Sequence, residues 1–279
     1  MATSLHSALE SYEGVDSLDA FGSHDDISDY RTSLLKRSHH QAEFLTRSFP
    51  DAHSVIEACT GNGRLLVAMA DQFKVLHGFD IAASRTKFAQ SWINDLQLDG
   101  VQVWQDNIFS PEGLRGGTYD LALCITGAFG YFDTIMDNGE KFAARQLAQI
   151  IKPDGHLLLE LYQHPREIAM CGQHDDHTAR VWKDLPETDR FRFYLSEYHL
   201  EPEKMLLHHN KTFIGRNGEI DDSRNETLKI YSVEDIKSLL KPWFKDFEIY
   251  SDWEGTLWQA HSGKMLVRAR RHSRTTDAN

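Results

Sequence analysis

The sequence predicts an α/β fold, a mainly parallel sheet with helices on both faces and a small antiparallel β insertion. The stretch SVIEACTGNGR, residues 54–64, is an apolar run carrying an acid, then a small-residue turn with Gly61 and Gly63, then the start of a helical pattern. A second apolar run, VLHGFD, ends on Asp80, so strand, glycine turn, helix and strand follow in order. Alternation of this kind continues to about residue 162 and builds a parallel sheet through right-handed crossovers.

RTSLLKRSHHQAEFL carries an apolar face at helical spacing, which gives a helix over 29–49. Strands are expected at 54–58, 74–79, 101–105, 119–125 and 156–162, with helices at 64–72, 84–96 and 139–151. Lys152-Pro153-Asp154-Gly155 reads as a turn that stops the last of these helices and launches a strand. After Tyr162 the pattern changes. Residues 164–189 are irregular, polar and rich in histidine, and FRFYLSEYHL, KMLLHHNKTFI and ETLKIYS then alternate apolar and polar positions as antiparallel strands do. Asn217-Gly218 supplies a hairpin turn between two of them. SVEDIKSLLKPWF returns as a helix capped by Ser232, and FKDFEIY and KMLVRARR are two final strands. The resulting organisation is an N-terminal arm or lid (1–28), a core (29–163), an antiparallel β cover (164–231), a segment completing the core sheet (232–271) and a disordered tail (272–279).

At 279 residues the chain holds one large α/β domain with an insertion. Its net charge of −12 weighs against a nucleic-acid substrate, because phosphate binding draws on clustered Lys and Arg. The one dense basic run, RARRHSR, is expected to be a solvated tail. No apolar run reaches the length of a membrane span, and the acidic, polar N-terminus lacks the layout of a secretory signal. Cys59, Cys124 and Cys171 read as reduced thiols, so the expected location is cytoplasmic. Neither nucleic acid nor membrane is an expected partner; a homodimer stays open.

In an open α/β sheet, ligands sit beyond the carboxyl ends of the strands. Glu57 and Asp80 therefore converge on one crevice, suited to a nucleoside-bearing cofactor. A dinucleotide fingerprint needs a small third residue, and Leu66 stands there instead. Glu57 would repel a diphosphate but suits a cationic ligand. S-adenosylmethionine has no phosphate and carries an ammonium and a sulfonium. Glu57 suits its methionine end, directly or through water, and Asp80 its two ribose hydroxyls.

EACTGNGR and GFDIAASR resemble the first two motifs of the class I S-adenosylmethionine-dependent methyltransferases of the small-molecule type. QDNIF, YDLALCITGAFGYF and IIKPDGHLLLELY resemble the later ones, and the likeness covers about 30–270. Cys59 and Thr60 depart from it, standing where many members have a further glycine. The resemblance implies a Rossmann-like seven-stranded mixed sheet with its last strand antiparallel, and S-adenosyl-L-methionine as cofactor. It implies a cofactor site of Glu57, Cys59, Gly61, Asn62, Gly63, Asp80, Ile81, Asp106, Asn107, Ile108, Thr126 and Gly127, with Tyr30 as an aromatic cover. Asp106 would take the adenine amino group, with Asn107, Ile108 and Ile81 against the ring.

The loops after the fourth and fifth strands would face the methyl group. There Phe129, Tyr131 and Phe132 form an aromatic wall for a small-molecule substrate, and Tyr162 and His164 stand where a general base is useful. Simple packing accounts for the aromatics equally well. No metal is expected, since Cys171, His174, Asp175 and His177 lack a second ligand pair. His208 and His209, adjacent in a strand, point to opposite faces; one of them, His208, is a candidate for the substrate. The expected reaction is in-line methyl transfer to a nitrogen or oxygen of a small metabolite. C-methylation and a non-catalytic cofactor-binding partner subunit are the alternatives, and a nicotinamide oxidoreductase is disfavoured by Leu66 and Glu57.

Overall fold

The computed structural model describes residues 16–109, 119–185 and 191–273. Most of the N-terminal arm (1–15) and most of the tail (274–279) therefore lie outside the described residues. The chain enters through helix α1 (His24–Ser48), longer than expected because Ser23 caps it by accepting the Asp26 amide at 3.2 Å. Strands β1 (Ser54–Ala58), β2 (Val75–Asp80), β3 (Val101–Gln105), β4 (Tyr119–Cys124) and β5 (Ile151–Tyr162) pair in parallel. Between them lie α2 (Arg64–Ala68), α3 (Ala83–Asp95), the single turn α4 (Phe132–Ile135) and α5 (Gly139–Ile150).

The chain then runs through α6 (Pro165–Cys171), β6 (Thr178–Asp184), β7 (Phe191–Glu201), β8 (Leu206–Gly215) and β9 (Ile220–Lys229). It ends with α7 (Val233–Leu240), β10 (Phe244–Tyr250) and β11 (Lys264–Arg271). The main sheet has seven strands in the order β10-β11-β5-β4-β1-β2-β3, with β11 antiparallel to both neighbours. This is the Rossmann-like mixed sheet. The order reverses between β1 and β4, and such a switch point opens a crevice at the carboxyl ends of the two strands. A second sheet, β6-β7-β8-β9, is antiparallel throughout.

The central strands are apolar along their length because both faces are covered. One face buries Ile56, Ala122 and Leu157 with Leu147 of α5 and Leu240 of α7. The other buries Val55, Leu121 and Leu158 with Leu45 of α1, Leu66 of α2 and Phe88 of α3. Two expectations change. The 152–155 segment is not a strand-launching turn but a bulge inside β5: between Tyr119 and Leu121 the partner advances from Ile151 to His156. β6 falls within the stretch read as irregular; it is an edge strand whose ladder partner, β7, lies beyond residue 190. No described helix is long and apolar enough to cross a membrane.

Candidate active site

A cavity of about 460 Å³ lies over the carboxyl ends of β1, β2 and β4, within the usual range for small-molecule sites. Glu57, at the end of β1, is buried, and its Oε2 accepts the Thr60 hydroxyl at 2.6 Å. Burial pushes its carboxyl up to about 7, against the opposing pull of the Thr60 bond and the Arg64 charge. The turn that follows is left-handed at Cys59, Gly61 and Gly63. Asp80, at the end of β2, ties this turn down: its Oδ2 accepts the Gly61 amide at 2.8 Å and its Oδ1 the Ala82 amide at 3.0 Å.

The two glycines do different things. A Cβ on Gly61 would lie 2.8 Å from the Arg85 guanidinium, at the cavity wall. A Cβ on Gly63 would lie 2.9 Å from the Ala89 Cβ, so Gly63 serves close packing of α2 on α3 and does not line the cavity. Cys59 does line it, with a thiol pushed up by its hydrogen bond to Cys124 and then by burial. Asp106 follows β3; its Oδ2 accepts the Trp104 indole at 3.2 Å and its Oδ1 the Asn107 amide at 2.8 Å. Asn62, Ile81, Asn107, Ile108 and Thr126 also line the cavity.

Tyr30 on α1 lines the wall too, and its hydroxyl donates to Asp16. Asp16 also meets Asn62 Nδ2 at 3.2 Å and Arg85 Nε at 3.1 Å, clasping arm, turn and α3 together. Sequence reading missed Asp16 because nothing local marks an acid in a polar arm. It missed Arg37 and Arg85 likewise, since single arginines on helices read as solvated charge.

After β4 the backbone turns left-handed at Thr126 and Gly127. The Thr126 amide donates to the buried Glu160 at 2.8 Å. Gly127 does not line the cavity; a Cβ there would lie 2.6 Å from the Tyr162 ring. Tyr162 therefore packs behind this loop, and burial pushes its phenol up to about 12, so it stays protonated at neutral pH. His164 caps α6 in a left-handed conformation, 3.7 Å from Glu167, with burial lowering its imidazole. Neither Tyr162 nor His164 is part of the cavity wall.

Of the expected aromatic wall, Tyr131 and Phe132 face the cavity. Phe129 does not: it is fully buried between Phe132 and Tyr231, the packing alternative. His208 also lies away from the cavity, bonded to Thr227 at 2.9 Å and Glu201 at 2.8 Å on one face of the insertion sheet. Strand alternation sends its neighbour His209 to the other face. There His209 Nδ1 meets Glu226 Oε1 at 3.1 Å, and Glu226, on β9, lines the cavity. Glu226 was missed because the alternation of ETLKIYS marks a strand but not what its inward face meets. Among the described residues no group of three metal-ligating side chains comes together.

No curated protein sequence shows significant similarity to the chain. The CcbJ methyltransferase from Streptomyces caelestis is similar in structure, with a TM-score of 0.71 and 14% identity over 84% of this chain and 89% of that one. CalS10, an amino pentose methyltransferase from Micromonospora echinaspora solved with S-adenosylmethionine bound, has a TM-score of 0.62 at 16% identity, covering 88% and 95%. The sugar N-methyltransferase KedS8 from a Streptoalloteichus species has a TM-score of 0.58 at 17% identity, covering 84% and 87%. At these identities the likeness is one of fold. The sequence profile of the methyltransferase domain family, however, matches residues 29–241. With that match spanning most of the chain, on this fold, the protein belongs to the methyltransferase domain family and is a class I S-adenosylmethionine-dependent methyltransferase.

Proposed function

We propose that the protein methylates a nitrogen or oxygen of a small molecule bound between the β4 loop and the insertion sheet. The observation that carries this is the wall itself. Tyr131, Phe132 and Ile135 from the β4 side and Glu226 from β9 close one cavity together with Glu57, Asp80 and Asp106. Two of the similar structures are described as an amino pentose and a sugar N-methyltransferase, which supports a small, nitrogen-bearing acceptor.

The donor set fits the cofactor. Asp80 keeps a lone pair on each oxygen beyond its two backbone bonds, enough for a ribose diol. Glu57, drawn into the ionised state by a cation, suits the methionine ammonium. Asp106 suits the adenine amino group, with Ile81 and Ile108 against the ring, and Tyr30 and Asn62 cover the turn with Asp16. Cys59 and Thr126, which line the cavity beside these groups, border the reacting end. Bound S-adenosylmethionine supplies an electrophilic methyl group on a sulfonium. The protein's part is alignment and exclusion of water, which suffices for in-line displacement by a held nucleophile.

Calorimetry with S-adenosylhomocysteine on the wild type and Asp80→Ala, followed by mass spectrometry of a panel of aminated and hydroxylated small molecules, tests this reading. Micromolar binding lost in the variant, and a one-methyl mass gain on a small acceptor, are expected. Binding with no small-molecule product across the panel, but methylation of protein or RNA, would overturn the assignment of acceptor.

A further inference from the structure

Where the β4 loop and β9 close the cavity, the wall consists of Thr126, Ala128, Tyr131, Phe132, Ile135 and Glu226. Glu226 is the one charged residue among these described lining groups. Its placement is not incidental. Oε1 faces His209 Nδ1 at 3.1 Å and also takes the Lys211 ammonium, while Oε2 faces the Tyr131 hydroxyl at 3.1 Å. His209 is itself buried, and its Nε2 meets Ser196 Oγ at 2.9 Å and the Tyr194 hydroxyl at 3.1 Å. Groups on three strands of the insertion sheet thus fix one carboxylate, which lines the cavity beside Tyr131.

We propose that Glu226 selects the methyl acceptor by binding it as the ammonium of an aliphatic amine beside Tyr131. Before transfer the ammonium releases one proton to solvent, and the freed nitrogen lone pair forms the N–CH3 bond as the methyl–sulfur bond breaks, leaving neutral S-adenosylhomocysteine and a protonated methylamine. This rests on the reading of the cavity as a small-molecule methylation site and narrows its substrate class. The electrostatics favour an amine over an alcohol. Burial raises the Glu226 carboxyl, but the His209 and Lys211 bonds outweigh it and hold the group down at about 2. A carboxylate held so low is a poor base toward an alcohol, since proton transfer needs matched acidities. It is a good ion-pair partner for an ammonium, in charge-assisted contact within a partly apolar wall. Tyr131 and Phe132 line the same wall, and aromatic rings attract cations.

Sinefungin, an analogue of S-adenosylmethionine in which an amine-bearing carbon replaces the methylated sulfonium, aims an ammonium at the acceptor end. S-adenosylhomocysteine carries nothing there. The ratio of their affinities by calorimetry therefore reads the charge preference of the acceptor wall without knowledge of the acceptor. The wild type should prefer sinefungin at least fivefold. Glu226→Gln should bring the two ligands within twofold while S-adenosylhomocysteine affinity holds. Lys211→Met, which strips the ammonium partner but leaves the carboxylate, should raise the preference at least twofold above wild type. Glu201→Gln, on the other face of the sheet, should keep the wild-type ratio. An unchanged ratio in Glu226→Gln, or a wild type with no preference, overturns the proposal. Failure of the wild type to bind S-adenosylhomocysteine would instead sink the underlying reading of the cavity, and the proposal with it.

Discussion

Cofactor affinity should fall about tenfold between pH 8 and pH 6, and replacing Glu57 by glutamine should abolish that dependence. In the ligand-free protein, burial raises the Glu57 carboxyl to about 7. A cationic ligand needs it ionised. At pH 8 about nine-tenths of the molecules already hold the carboxylate, and at pH 6 about one-tenth do, a difference of about 1.4 kcal/mol. The sign follows from linkage: the free protein binds more protons at Glu57 than the complex does, so affinity rises with pH. No histidine is among the described lining residues, so Glu57 is the group expected to titrate in this window. Calorimetry with S-adenosylhomocysteine at pH 6, 7 and 8, in buffers of different ionisation enthalpy, counts the proton released. Nearly one proton should leave at pH 6 and almost none at pH 8. Glu57→Gln should give a flat profile and, at pH 8, affinity lower by about 1.5–3 kcal/mol, the worth of a charge-assisted bond. A wild-type profile that is flat, with no proton released, would refute the assignment of Glu57 to the ligand's ammonium. The same raised carboxyl makes the ligand-free protein less stable as pH climbs from 4.5 toward 7, since the folded state holds the proton that the unfolded state has lost.

Gly63→Ala should cost about 1–3 kcal/mol of stability through left-handed strain and the contact with Ala89, read as a lower thermal midpoint. Gly61→Ala, also left-handed and set against the Arg85 guanidinium at the cavity wall, should add weakened S-adenosylhomocysteine binding in calorimetry to a similar strain cost. Glu160→Ala should lose about 2–4 kcal/mol in denaturant unfolding, because the Thr126 amide, the Trp253 indole and Lys264 all give up their acceptor. Asp120 accepts the His53 and Ser54 amides and the Lys152 ammonium at 2.9, 2.9 and 2.7 Å. Burial opposes ionisation, but these donors hold its carboxyl well below the usual range. Its contribution is therefore full above the ordinary carboxylate range near 3.8 and fades as pH falls. Asp120→Asn should lose about 1–3 kcal/mol at neutral pH, with the gap to wild type closing in acid unfolding.

The legible and illegible parts of this molecule divide by the sequence range over which each is determined. The half of the cavity proposed for the cofactor is assembled from strand ends and the turns that follow them, so each residue announces itself locally. Glu57 and Asp80 close apolar runs, and Gly61 answers a left-handed turn. Gly63, in the same motif, turned out to serve the α2–α3 contact, because a left-handed φ says nothing of which neighbour requires it. The half proposed for the acceptor depends on pairings that no local pattern encodes. Residues 164–189 read as irregular because the pairing that makes Thr178–Asp184 a strand is supplied by residues 193–199. The 152–155 segment carries turn chemistry, yet pairing with β4 resumes on its far side, and the ladder wins over the local preference. For His208 and His209 the period of two fixed their opposition but not which face meets the cavity. That choice is made by where the insertion sheet docks: Leu207, Leu228 and Ile230 bury against Tyr131 and Tyr162, and His209 and Glu226 share their face. Docking thus does for the acceptor what the glycine turn does for the cofactor. If the proposed acceptor assignment holds, Glu226 on that sheet face, rather than the glycine turn, is the residue to vary when searching for the acceptor.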